Sequence, residues 1–189
     1  MMKRTLLALS ACIALPASAA WTLDSDTSSL HFLSTKNAQI TEVHSFDELS
    51  GTLSDGGQLS VTVPLTSVNT SIELRDTRMQ EMLFDTTNFA NATFTADVPA
   101  ELMKLKKGSS TTGSVTGELD LHGVKAPATF QVIVSKLAND KLTVSTTAPT
   151  VINASSFKLE GGIQALQDVA KLSSITLAVP VTFSVTFEE

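Results

Sequence analysis

Three histidines, His31, His44 and His122, are the side chains best suited to metal ligation or proton transfer in this chain. They are dispersed, with no His-x-His or His-x-x-x-His pair to set two imidazoles on one face, so only folding could converge them. His122 stands in a Leu-His-Gly turn, where a solvated or backbone-bonded imidazole is the ordinary expectation. Nucleophilic catalysis finds no Gly-x-Ser-x-Gly elbow, and the many serines fall on the wet faces of strand-like segments. The carboxylates Asp24/Asp26 and Asp47/Glu48 read as turn and strand-end residues, and the nine glycines never form a Gly-x-Gly-x-x-Gly loop. Nothing here calls for a metal or a cofactor. The residue types predict a protein that is not an enzyme.

The composition bounds what remains. The chain has 189 residues, 42% of them hydrophobic and 17% charged, which suits one domain with a sizeable core. A formal net charge of −6 excludes the basic footprint that nucleic-acid binding needs. Lys3 and Arg4, an apolar run from Leu6 to Leu15, Pro16 and Ala17-Ser18-Ala19 compose a signal peptide, with cleavage expected after Ala19. The apolar run is too short to span a membrane. Residues 20–189 then form the mature domain, exported to the periplasm, with 11 basic against 19 acidic groups. Leu9-Ser10-Ala11-Cys12 also resembles a lipobox, which would make Cys12 a lipidated first residue; cleavage after Ala19 leaves no thiol at all.

Period-two alternation dominates the mature chain. Leu177, Val179, Val181, Phe183, Val185 and Phe187 alternate with wettable residues, as do Leu59, Val61, Val63 and Leu65, then Val115, Gly117, Leu119 and Leu121. Weaker repeats join Leu30 with Phe32, Phe94 with Val98, and Phe130 with Val132 and Val134. Asp55-Gly56-Gly57, Lys107-Gly108-Ser109, Gly123 and Asn139-Asp140 separate them as turns. The expectation is an all-β, antiparallel barrel or sandwich of about eight strands. One helix is predicted from a Thr70/Glu73 capping box through Leu83, burying Ile72, Met79, Met82 and Leu83; a second runs from Ile163 to Leu172 with Ile163, Leu166 and Val169 inward. The absence of tyrosine, with one tryptophan, argues against the aromatic girdles of a membrane barrel. An eight-stranded barrel either encloses one small ligand or fills with its own side chains. Alternation does not choose between them.

The order of motifs resembles the bacterial polyisoprenoid-binding YceI-like family. The pieces are Trp21-Thr22-Leu23-Asp24, Ser29-Leu30-His31-Phe32, Leu49-Ser50-Gly51, Thr66-Ser67-Val68-Asn69-Thr70, Arg75-Asp76, Leu83-Phe84-Asp85, Ala92-Thr93-Phe94, and Gly117 through Val124. The chain departs from that pattern at Arg78-Met79, where His-Leu is usual, and at Phe89-Ala90, where Tyr-Pro is common. It departs again at His44, where a glycine is frequent, and over Phe157–Leu172. The resemblance implies a lipocalin-like barrel, usually periplasmic, that holds a long isoprenoid or related lipid.

Joined to the strand pattern, it predicts a cavity lined by Leu30, Phe32, Val61, Val63, Phe94, Leu119, Leu121, Val181 and Phe183, with few charges aimed inward. Met79, Met82 and Leu83 are expected to form an adaptable lid. Arg75 and Asp76 are expected either to address a polar head group or to pair with each other. The expected partner is an isoprenoid or fatty-acyl lipid, with no nucleic acid and no membrane span; a homodimer is left open. The competing expectation is a solid barrel serving protein interaction or stress response without a lipid.

Overall fold

The computed structural model describes residues 21–189; the expected leader, with Cys12, lies outside the described residues. Eleven strands run in one antiparallel sheet: β1 Trp21–Lys36, β2 Ile40–Phe46, β3 Ser50–Leu53, β4 Gln58–Pro64, β5 Val68–Asn69, β6 Asn91–Asp97, β7 Ser109–Leu121, β8 Val124–Lys136, β9 Leu142–Thr146, β10 Thr150–Asn153 and β11 Ala178–Glu188. Eight of them, in the order β11-β9-β8-β7-β6-β4-β3-β1, close into a barrel through the pairing of β1 with β11. Strands β2, β5 and β10 are additions at its rim.

The alternation read from the sequence is the wall of this barrel. Along β8, Ala128, Phe130, Val132 and Val134 are buried while Thr129, Gln131 and Ile133 face out. The outer face is laced by hydroxyl and amide contacts, Thr116 to Thr129 at 2.9 Å, Ser110 to Ser135 at 2.8 Å and Ser114 to Gln131 at 3.0 Å. Polar residues therefore face outward, the reverse of a membrane barrel. No helix among the described residues is long and apolar enough to cross a membrane. The hairpin β7–β8 turns through His122 and Gly123, at φ 54° and 71°. Two successive left-handed residues match the strand twist, and only a glycine takes the second position at no cost. Phe89 closes over this turn, 4.4 Å from the His122 ring.

Strand β1 is long enough to serve both ends because it bends. Its register with β11 shifts between Asp24 and Ser29. The Asp24 carboxylate stabilises the bulge by accepting the Asp26 amide at 3.1 Å and the Thr27 hydroxyl at 2.9 Å. Before the bulge β1 pairs with β3, after it with β2.

Helices cover the two ends. Helix α2, Ala100–Met103, places Leu102 fully inside one end, against the strand position of Gly113. At the other end lie helix α1, Glu73–Arg78, its π-helical continuation Met79–Phe84, and helix α3, Glu160–Ala170. The buried apolar residues accordingly form two clusters. One, around Trp21, Leu102, Phe130 and Val132, fills the α2 end; the other, around Leu65, Phe84, Phe157 and Ile163, lies under α1 and α3.

The sequence-based helix over 70–83 is corrected in two respects. Helix α1 begins at Glu73 with Ile72 at its cap position and no side-chain cap. Thr70 donates its hydroxyl and, at 2.8 Å, its amide to the Asp76 carboxylate, so a charged acceptor one turn further on takes the role assigned to Glu73. The wider i→i+5 winding after Arg78 also shifts the inward face. Met79, Leu83 and Phe84 are buried, whereas Ile72 and Met82 are exposed.

Candidate functional site

Between the two apolar clusters the barrel is hollow. The cavity measures about 590 Å³ and its wall is overwhelmingly apolar. Leu30 and Phe32 from β1, Val61 and Val63 from β4, Phe94 from β6, Leu119 and Leu121 from β7, and Val181 and Phe183 from β11 all contribute to the lining. Met79 and Leu83 reach it from above. Met82 does not: it lies on the outer face of the π-helical turn, 37% exposed, and is removed from the expected lining. Phe94 meets Phe130 edge-on at 5.1 Å, and Phe130 meets Phe183 at 5.3 Å. These rings line up around the barrel wall and leave its centre open, because neighbours on one sheet face contact each other sideways.

Several lining residues escaped the periodicity. Phe46 on β2, Phe84 in the π-helical turn, Ile152 on β10 and Leu159 just before α3 all border the space. Short or irregular elements carry them, so no alternation announced them. Ile163, Leu166 and Val169 on α3 also line it, on the face their helical spacing predicted.

The few charges on the lining are Lys36, Glu42, Arg75 and Arg78. One end of the cavity is bordered by Ser34, Lys36, Glu42, His44, Arg75, Arg78 and Thr176. This polar end is assembled from the β1–β2 hairpin, α1 and the segment after α3, which is joined to the hairpin by the Lys36–Ile175 bridge. Glu42 is its hinge: Lys36 Nζ lies 2.6 Å and Arg75 Nη1 3.0 Å from the same carboxylate oxygen, Oε2. The hydrogen bond from Lys36 holds the Glu42 carboxyl below its ordinary range, opposed by burial and helped by the charge of Arg75. Arg75 Nη2 donates to the Thr70 carbonyl at 2.6 Å.

The expected pairing of Arg75 with Asp76 does not occur. Adjacent residues on a helix point to different faces. Arg75 faces β2 and the cavity, while Asp76 is absent from the lining and is held by Thr70. Of the two, only Arg75 borders the space where a head group would sit.

His44 is 6% exposed, with its ring 5.3 Å from that of Phe32. Burial above all, then the positive charge of Arg75, keeps the imidazole below its usual pKa; Glu42 and Asp76 pull the other way. Its Nδ1 has no hydrogen-bond partner, and the same holds for the buried Nε of Arg75. The other two histidines lie elsewhere, His31 on β1 and His122 in the β7–β8 turn, and no group of three metal-ligating side chains gathers among the described residues.

Comparison with known proteins agrees with this architecture. A polyisoprenoid binding domain from Saccharophagus degradans, implicated in plant cell wall breakdown, is 37% identical, with a TM-score of 0.86 over 90% of this chain and 99% of that one. BcnA of Burkholderia cenocepacia shares the fold at 20% identity and a TM-score of 0.67, over 87% of this chain and 98% of its own. No curated protein sequence matches the chain. The family model of the YceI-like domain matches residues 21–187, nearly the whole of the described barrel. With that match and the Saccharophagus likeness, the chain belongs to the YceI-like family.

Proposed function

We propose that the protein is an exported binding protein that holds the tail of an isoprenoid or related lipid inside the barrel, for carriage, storage or sequestration, without catalytic turnover. The observation that carries this reading is the apolar cavity of about 590 Å³, within the range of roughly 300–1,000 Å³ typical of small-molecule sites. Each methylene moved from water into such a space is worth about 0.8 kcal/mol before ordering costs, so a dozen tail carbons suffice for useful affinity. The Saccharophagus relative is described as polyisoprenoid-binding, which supports the same ligand class here. The basic and apolar pattern of residues 3–19 supports export to the periplasm.

The test is direct. Protein purified without detergent is extracted with organic solvent, and the extract is analysed by mass spectrometry. A stoichiometric long-chain lipid is expected. An empty extract, together with failure of the purified protein to take up a prenyl alcohol, overturns the reading in favour of a partner-binding barrel.

A further inference from the structure

The cavity is open at one end and closed at the other. On α3, Val169 lines the space while 41% exposed, so the cavity reaches solvent beside that helix. At the opposite end the lining includes Leu102, only 1% exposed, and Val132, which is as deeply buried. Wall residues such as Val132 come from strands. Leu102 comes from the covering helix α2, so it stands across the end of the barrel.

Leu102 has a seat cut for it. The less exposed positions of β7 alternate through Thr111, Gly113, Val115 and Gly117, and Gly113 carries no side chain into the barrel. A Cβ at Gly113 would fall 2.8 Å from Cδ2 of Leu102 and 3.3 Å from Cδ1. The isobutyl group therefore occupies the volume that a β7 side chain would otherwise take, as close packing requires. The helix is also pinned at both shoulders. Before it, the Val98 amide donates to the Gly57 carbonyl at 2.8 Å; after it, the Gly108 amide donates to the Lys136 carbonyl at 2.7 Å. Such ties hold the leucine in place. A tail that enters beside α3 runs inward until it meets Leu102.

We propose that Leu102, seated on Gly113, is the stopper that sets the length of tail the barrel accepts, at about four isoprene units. With a methylene close in bulk to a water molecule, roughly 30 Å³, the cavity of about 590 Å³ takes about twenty carbons. Carbons beyond that number stay in water at the mouth and add nothing to affinity. This rests on the lipid-binding reading above, and it adds the class of tail.

The experiment titrates delipidated protein with geraniol, farnesol, geranylgeraniol and geranylfarnesol, each one isoprene unit longer than the last, by calorimetry. In the parent, each unit up to geranylgeraniol is expected to tighten binding at least about tenfold, and the step to geranylfarnesol to change it less than about twofold. Leu102→Ala deepens the closed end, so geranylfarnesol should then bind about tenfold tighter than geranylgeraniol. Adding Gly113→Val to that variant refills the hollow from the facing strand and should return the ratio to one. Leu102→Val, a milder truncation, should shift the ratio in the same direction by less, and keeps the test open should Leu102→Ala fail to fold; far-ultraviolet dichroism reports folding. Affinity that still climbs from geranylgeraniol to geranylfarnesol in the parent overturns the length limit and leaves lipid binding standing. Binding of none of the four alcohols overturns both. A ratio of one in folded Leu102→Ala or, where that variant is unfolded, in Leu102→Val refutes the role given to Leu102.

Discussion

Arg75 passes over its neighbour Asp76 and places Nη1 3.0 Å from Oε2 of Glu42, thirty-three residues earlier on β2. This contact ties the covering helix α1 to the barrel rim at the polar end of the cavity. It also leaves one carboxylate between two cations, since Lys36 approaches the same oxygen.

Glu42→Gln should therefore loosen this tie. The pair is about a third exposed on the Glu42 side, so its loss should cost no more than about 1 kcal/mol in thermal denaturation.

The open centre makes a second prediction. Ala92 borders the cavity, and Ala92→Trp should fill the space, retain a cooperative unfolding transition and exclude lipid. Phe183→Glu should also abolish uptake, because a carboxylate pointed into apolar space pays for lost hydration with no partner there. Co-purified lipid measured after extraction reports both.

The two lid methionines should behave differently. Met79 is 7% exposed and lines the cavity, so Met79→Gln should lower stability by about 1–3 kcal/mol and reduce uptake. Met82 faces outward, and Met82→Gln should stay within about 0.5 kcal/mol of the parent with unchanged uptake. Chemical denaturation and lipid uptake measured side by side decide the matter.

His44 predicts an acid-sensitive fold. Its folded pKa lies below the ordinary imidazole value of 6.5, so the unfolded chain binds the proton more readily. The stability linked to this group is complete above that value and declines as pH falls toward the lower folded pKa. Lys36, Glu42, Arg75 and Asp76 are the charges that set the balance around it. Thermal midpoints recorded from about pH 8 to pH 5 should fall, and fall less steeply in His44→Gln.

Gly117 on β7 pairs with Ala96 on β6, with no room for a side chain. A Cβ there would meet the Thr95 carbonyl and lie 2.7 Å from both the Ala96 Cβ and the Phe94 ring. Gly117→Ala should cost about 3 kcal/mol or more, at the upper end of overpacking penalties, measured by chemical denaturation.

The barrel was legible in the amino-acid order because alternation is a local property. Each of β4, β7, β8 and β11 displays its own inside and outside within a few residues, as Phe130, Val132 and Val134 do against Thr129 and Gln131. Strand β2 was not legible for the same reason: it turns Glu42 and His44 inward and Val43 outward, inverting the pattern that identifies a strand. The π-helical turn was equally hidden, since a helical period of 3.6 residues puts Met82 inward beside Leu83, whereas the wider winding turns Met82 out and Phe84 in. Two features belonged to the tertiary structure alone. Whether facing walls meet or stand apart depends on barrel closure, which the same Leu, Val and Phe residues satisfy either way. The polar end depends on bringing residues 36, 42, 44, 75 and 78 together from a hairpin and a helix, and no spacing within either segment foretells that meeting.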